Sequence, residues 1–230
     1  MSSESLVTIY IPCRNYGNFL TQSVESVFNQ SYTNWELVII NEASDDNTSE
    51  IAKGLCKREP KKTTFIDNKK PLGLQKLANL VLSQANGKYM MRLDADDWLD
   101  ENALLLLVTK LESSSDSGLV FGNYYYTNQE GSVIGVETSF EEDVGASLSK
   151  IPPHGACTLF RTRALKTVGG YSEDVNAQDG WDLWYKLSNR IGATSIRTPV
   201  FYYRQHSESL SKDNERLLNA RSKIFENVGK

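Results

Sequence analysis

Hydrophobic positions in the first hundred residues of this chain switch repeatedly between a strand pattern and a helix pattern. Val7-Thr8-Ile9-Tyr10-Ile11 reads as a strand, and Leu20, Val24, Val27 and Phe28 then recur at helical spacing after Asn18, a residue suited to capping. Leu37-Val38-Ile39-Ile40 is a second strand, and its polar exit, residues 41–48, can cap a helix carrying Ile51 and Leu55. Thr64-Phe65-Ile66 is a short third strand. Leu74, Leu77, Ala78, Val81, Leu82 and Ala85 line one face of a helix stopped by Asn86-Gly87. The mostly apolar run from Lys88 to Leu93 has the character of a buried strand, and Leu104 to Val108 lies in a helix.

This alternation predicts βαβ units and a mostly parallel sheet. The order then changes. Leu119 to Tyr126 and Val133 to Val136 flank Glu130-Gly131 as a hairpin, and Pro152-Pro153-His154-Gly155 is a loop. Thr158-Leu159-Phe160 is a strand candidate, followed by a short helix stopped at Gly169-Gly170. Residues 181–191 are predicted helical, 201–203 extended and 214–227 helical. There is no fixed-period repeat and no low-complexity linker.

At 230 residues the chain has room for one domain with a full core. Hydrophobic residues make up 40% and charged residues 23%, an ordinary globular composition. The formal net charge of −4 gives no basic footprint for nucleic acid. Cys13, Cys56 and Cys157 lie far apart without CxxC spacing, which points to reduced, cytosolic thiols. No apolar run approaches the roughly 20 residues that span a bilayer, and the start lacks the signature of a signal peptide. Membrane association would come through an acceptor, a partner or further sequence.

Two acidic clusters carry the candidate chemistry. Asp94-Ala95-Asp96-Asp97 follows a strand, and carboxylates at a strand's carboxyl end face the crevice where open α/β sheets bind ligands. Hard cations such as Mg2+ or Mn2+ take oxygen ligands, often one or two carboxylates together with substrate phosphates. The competing reading is that Asp97 or Asp100 caps the next helix and the other acids are solvated. The second cluster is Gln178-Asp179-Gly180-Trp181-Asp182, where Asp179 is either a catalytic base, the cap of a helix beginning near Gly180, or both. Trp181, Trp184 and Tyr185 form either an acceptor wall or core.

Residues 7–15, Ser26 to Tyr32, the Glu42 loop, Asp94-Ala95-Asp96-Asp97, and Gly169-Gly170-Tyr171 followed by Gln178-Asp179 together resemble, in order, the signatures of family-two glycosyltransferases with the GT-A fold. The resemblance covers nearly the whole chain. It implies a Rossmann-related, mostly parallel central sheet flanked by helices, with a smaller mixed region on the acceptor side. It implies one domain over 1–230, with a nucleotide-sugar half over 1–100 and an acceptor half over 101–230, standing alone or within a longer chain. It also implies inverting transfer of one sugar from a nucleotide diphosphate sugar, UDP-linked by preference, to a saccharide or lipid-linked saccharide hydroxyl. Surface glycan or polysaccharide synthesis, in the cytoplasm or peripherally at the inner membrane, is the corresponding setting.

Carried over residue by residue, the resemblance places Pro12, Arg14 and Asn15 beside the nucleotide, with Arg14 where the family often has an aromatic residue. Asn41-Glu42-Ala43-Ser44 stands where the family pattern is two aspartates, Gly and Ser, so Glu42 takes the place of the acid that accepts a uracil imide proton. Gly73, Lys76 and Asn79 match a helix start bordering the nucleotide. Asp94 and Ala95 border the ribose and the metal's water shell, Asp96 ligates Mn2+ or Mg2+, and His206, in a stretch that closes over the diphosphate, is the second metal ligand, a neutral imidazole being able to ligate Mn2+ and a protonated one to pair with phosphate. Asp179 is the base, with Gln178 where the family has an acid. The alternatives are a non-catalytic nucleotide-sugar-binding domain and a sugar-phosphate nucleotidyltransferase, although the latter calls for a Gly-rich phosphate loop that Pro12 to Gly17 does not provide. A glycosidase-like carboxylate pair leaves the nucleotide-site signatures unexplained. A processive synthase would bring transmembrane helices and a Gln-x-x-Arg-Trp motif, which this sequence lacks.

Overall fold

A computed structural model describes residues 4–138, 154–175, 177–188, 190–206 and 214–228. Strand β1 (Val7–Cys13) lies at the centre of the parallel half, its Val7, Ile9, Tyr10 and Ile11 all inaccessible to solvent. Burial on both faces is what a near-continuous apolar strand between helix layers requires. Helix α1 (Gly17–Phe28) leads to β2 (Trp35–Glu42), α2 (Thr48–Cys56) to β3 (Thr63–Asn68), and α3 (Leu74–Gln84) to β4 (Tyr89–Arg92). β1 pairs in parallel with β2 on one side and β4 on the other, and β2 with β3. The strand order therefore reverses around β1, and the carboxyl ends of β1, β2 and β4 open on one crevice, the position where such sheets bind ligands.

The second half adds β5 (Trp98–Leu99), α4 (Ala103–Ser113), β6 (Leu119–Thr127), β7 (Val133–Glu137), β8 (Leu159–Arg161), α5 (Thr162–Thr167), α6 (Asp179–Ser188), β9 (Ala193–Arg204) and α7 (Asn214–Val228). Among the described residues the sheet runs β3-β2-β1-β4-β8-β6-β9-β5, with β7 attached to β6. β8 is antiparallel to β4 and β6, β7 to β6 and β5 to β9, while β6 and β9 run parallel. The parallel sheet thus gives way to a mixed region, and the hairpin read at Glu130-Gly131 is β6–β7. One apolar core runs from Val7 to Phe201 across both halves, with a small satellite of Val175, Ala220 and Ile224 under α7.

Several local expectations are corrected. Asn18 does not cap α1, which begins at Gly17; the Asp46 carboxylate accepts the Gly17 N–H at 3.1 Å and that of Thr48 at 3.0 Å, tying the starts of α1 and α2 together. Of the two candidates to cap α4, Asp97 is turned to Arg204 N at 2.9 Å, whereas Asp100 Oδ1 accepts from Asn102 N at 3.0 Å at the helix start, with Gln30 Oε1 accepting from Leu104 N at 3.0 Å. β2 continues through Asn41 and Glu42, read as loop, and the helix read over 181–191 is α6, displaced toward Asp179. Pro152 and Pro153 fall outside the described residues.

Candidate active site

The loop after β4 is folded by main-chain bonds. Leu93 N donates to Tyr10 O at 3.0 Å, and Asp97 N turns back onto Asp94 O at 3.1 Å, which also accepts from Ser23 Oγ at 3.1 Å. Ala95 is buried, Asp94 is partly exposed, and Asp96 Oδ2 lies 2.9 Å from His206 Nε2. The two proposed metal ligands, 110 residues apart in sequence, are thus neighbours. Burial and the Asp94 carboxylate push the Asp96 pKa up, against the opposing pull of His206. Tyr16 and Phe19 pack on the His206 ring at centroid distances of 5.6 and 5.4 Å.

Arg204 clamps this loop from behind. Its backbone N–H donates to Asp97 Oδ1 at 2.9 Å, its Nε to Asp96 O at 2.8 Å and its Nη2 to Gln22 Oε1 at 2.6 Å. The guanidinium lies over the Phe19 and Trp98 rings, each centroid 4.7 Å away. Asp97 is buried with Oδ2 unpartnered, and burial followed by its acidic neighbours raises its pKa well above the ordinary carboxylate range.

Asp179 opens α6. Gln178 before it has a left-handed backbone, φ 56°, and its side chain accepts from Arg221 Nε of α7 at 2.9 Å. The Asp179 carboxylate pairs through Oδ2 with Arg92, and Arg92 reaches Asp94 as well, Nε lying 2.8 Å from Oδ1 and Nη2 3.5 Å from Oδ2. Beneath them, Tyr10 and Tyr171 share a hydroxyl hydrogen bond of 3.3 Å. His154 lies beside this group, walled by Tyr124, Phe201 and Tyr203, and burial lowers its pKa. A Cβ on Gly155 would sit 3.3 Å from Asp179 Oδ1 and 3.1 Å from Gly180 N, so a larger residue there would crowd that carboxylate oxygen.

On the nucleotide side Pro12 is partly exposed, and Arg14 and Asn15 are exposed. Asn15, at φ 58°, stitches the β1 and β2 exits: its N–H donates to Ser44 Oγ at 2.9 Å and its Oδ1 accepts from Asp45 N at 2.8 Å. The Glu42 carboxylate accepts from Asn68 Nδ2 at 2.6 Å, Leu72 N at 2.9 Å and Gly73 N at 3.0 Å. Ala43 follows at φ 54°. Left-handed backbone at Asn15, Ala43 and Gln178, each next to a site residue, is strain of the kind that gathers at functional positions. Lys76 is exposed. Asn79 is spent elsewhere: its Oδ1 accepts from Tyr171 N at 2.9 Å and its Nδ2 donates to Tyr171 O at 3.0 Å, bracing the Gly169-Gly170 turn. Trp184 is core against Phe121, and Trp181 and Tyr185 seat Phe225 of α7.

A carboxylate beside an imidazole is a donor set that can hold Mn2+, whereas Mg2+ would be held through the carboxylate oxygen. Among the described residues no group of three or more His, Cys, Asp or Glu side chains is assembled to hold a metal. Sequence reasoning missed Arg92, the His154 wall and the Arg221 brace. Only Arg92 left a trace, as a charge inside an apolar run two positions before Asp94.

Residues 8–169 match the model of the family described as Glycosyl transferase family 2, and the chain belongs to that family. Its fold is GT-A. A chondroitin synthase of Pasteurella multocida (strain Pm70) is 28% identical over 91% of this chain and 22% of its own length. A hyaluronan synthase of Pasteurella multocida is 29% identical over 86% of this chain and 20% of its own. The chain spans about a fifth of the length of these relatives. Among solved structures, S. aureus TarS 1-349 in complex with UDP-GlcNAc superposes with a TM-score of 0.77 at 18% identity, over 95% of this chain and 65% of that one. The mannosyltransferase PcManGT from Pyrobaculum calidifontis, in complex with GDP-Man and Mn2+, gives 0.74 at 18% identity, over 98% and 64%. No helix among the described residues is long and apolar enough to cross a membrane.

Proposed function

We propose that this chain is one glycosyltransferase domain that moves a single sugar, with inversion, from a UDP-sugar to an acceptor hydroxyl on a saccharide or lipid-linked saccharide. The observation that carries the reading is the convergence of Asp179, Asp94 and the Asp96–His206 pair at the mouth of the sheet. Asp179 Oδ1, the oxygen beside Gly155, takes the proton of the acceptor hydroxyl as that oxygen bonds to the anomeric carbon and the nucleoside diphosphate leaves with the bonding pair. Asp96 and His206 would hold Mn2+ or Mg2+, which offsets the negative charge of the diphosphate. Asp94 and Ala95 border the sugar nucleotide, and Pro12, Arg14 and Asn15 border the base. Glu42 Oε1 carries one hydrogen bond from Asn68 and keeps a lone pair for a uracil imide N–H.

The UDP-GlcNAc complex of TarS and the chondroitin synthase and hyaluronan synthase among the relatives support a UDP-sugar and a role in polysaccharide synthesis. The three free cysteines support action on the cytoplasmic side, where peripheral contact with the inner membrane would come through the acceptor. Calorimetry with UDP, GDP, CDP and dTDP, each with Mn2+ and again with EDTA, tests the donor site. Metal-dependent binding of UDP is expected, and binding of none of the four would sink it. Asp179→Asn is expected to keep UDP binding and lose transfer; full transfer by that variant refutes Asp179 as the base.

A further inference from the structure

We propose that Arg92 is a positioning residue that sets the Asp179 and Asp94 carboxylates at one fixed separation, so that the acceptor base and the donor pocket are aligned before substrate arrives. This rests on the reading of Asp179 as the base.

Arg92 is the last residue of β4 and is 5% exposed. A buried guanidinium persists only where carboxylates repay its desolvation. Here burial opposes the charge, but Asp179 and Asp94 outweigh it and hold the cation. Those two acids come from distant stretches, the β4 exit and the start of α6, so Arg92 joins the donor half to the acceptor half over 87 residues of sequence. Its guanidinium fork fixes direction at Asp179 through the Nη1 hydrogen bond, while Asp94 is held by charge, since Nε makes no aligned hydrogen bond at 2.8 Å and Nη2 reaches Oδ2 only at 3.5 Å.

The side chains packed around this bridge do not replace it. Burial raises Tyr10 and Tyr171 and lowers His154, so all three stay neutral near pH 7. Asp179 Oδ2 is committed to Arg92, which leaves Oδ1 beside Gly155 for the acceptor proton. The bridge therefore also selects which oxygen works. Without it, the buried Asp179 and the partly exposed Asp94 would lose their shared cation, and Asp179 would be free to turn away from the mouth.

The test compares Arg92→Met, Arg92→Lys, Asp179→Asn and the Arg92→Met/Asp179→Asn double variant. Each is assayed for UDP release from UDP-GlcNAc, with N-acetylglucosamine oligosaccharides or water as acceptor, for UDP affinity with Mn2+, and for thermal melting. Arg92→Met is expected to lower kcat on the order of 100-fold, the scale of a misplaced catalytic group, with a much smaller change in UDP affinity. Arg92→Lys restores charge without the fork and recovers part of kcat. In the Asp179→Asn background, Arg92→Met is expected to cost nothing further, because it acts through Asp179. Wild-type kcat in Arg92→Met, or its full loss repeated on top of Asp179→Asn, overturns the inference. An Asp179→Asn enzyme at wild-type rate refutes the base instead, which keeps the two failures apart. Should Arg92→Met not melt cooperatively, Arg92→Lys decides: reduced kcat with UDP affinity kept supports the role, and unchanged kcat overturns it.

Discussion

Replacing Glu42 with alanine separates two jobs that one carboxylate performs. Its three hydrogen bonds hold Asn68 and the main chain at Leu72 and Gly73, just before α3. Gly73 has φ 89°, so the chain reverses there and depends on an outside acceptor for its N–H. Hydrogen bonds to a charged group are worth about 1.5–3 kcal/mol each when buried. Leu72 is 45% exposed, so water reaches these donors and the low end applies. Glu42→Ala is therefore expected to cost about 4–5 kcal/mol, which for a chain of this size lowers Tm by roughly 8–20 °C in a calorimetric scan. Glu42→Gln keeps an oxygen for Leu72 and Gly73, and Asn68 can turn its amide to offer oxygen to the new NH2. Its Tm should fall by no more than about 4 °C, yet the position offered to a uracil imide becomes a donor, and UDP affinity should drop by about 10- to 100-fold. An alanine variant that melts with the wild type refutes the scaffold account. A glutamine variant with full UDP affinity refutes the base contact.

Ala43→Gly should raise stability by up to about 1 kcal/mol, because Ala43 sits at φ 54° and glycine removes that strain; a lower denaturation midpoint would contradict this. Burial pushes the Cys13 thiol up to about 12 and raises that of Cys157 well above its ordinary value, so at pH 8 an aromatic disulfide reagent should label native protein only at the partly buried Cys56, and all three positions in guanidinium. Rapid labelling of Cys13 in the native state would show that the β1 exit opens. The Lys88 hydrogen bond holds Glu112 down to about 2. Because its folded pKa is depressed, the pair stabilises above the ordinary carboxylate range and that contribution fades as pH falls toward 2. Both side chains are nearly half exposed, so Lys88→Met should cost less than about 1 kcal/mol at pH 7, and its Tm should converge with the wild type in acid. A deficit that is independent of pH would refute the pairing.

The parallel half was legible because its signals are local. Val7 to Ile11, Leu37 to Ile40 and the Leu74 helix each announce burial through their own period, and the structure places them within a residue or two of that reading. Capping at α1 was not legible, because Asp46, 29 positions away, does what Asn18 seemed suited to do. β5 has two residues and exists only because β9 pairs with it, so its own pattern could not report it. Asp94, Asp96, Asp179 and His206 were readable as chemistry, but their convergence was not. A motif names residue types, whereas the Asp96–His206 and Arg92–Asp179 contacts are properties of chain crossings.

Two arginines, Arg92 and Arg204, explain why so many acids can share one mouth. Arg92 neutralises Asp94 and Asp179 from the β4 side, and Arg204 binds the Asp96 carbonyl and, through its N–H, the Asp97 carboxylate from the β9 side. Asp97, buried with one oxygen unpartnered, has its pKa pushed well up and adds little charge. Asp96 is left with an imidazole and a raised pKa, the carboxylate here whose charge is least compensated by the chain. A divalent cation bound there would relieve that imbalance without disturbing either arginine. Metal binding should therefore survive Arg92→Lys and fail in Asp96→Ala, and isothermal titration with Mn2+ and UDP reads the difference. Loss of metal-dependent UDP binding in both variants alike would mean that the base bridge and the metal loop are one structural unit rather than two.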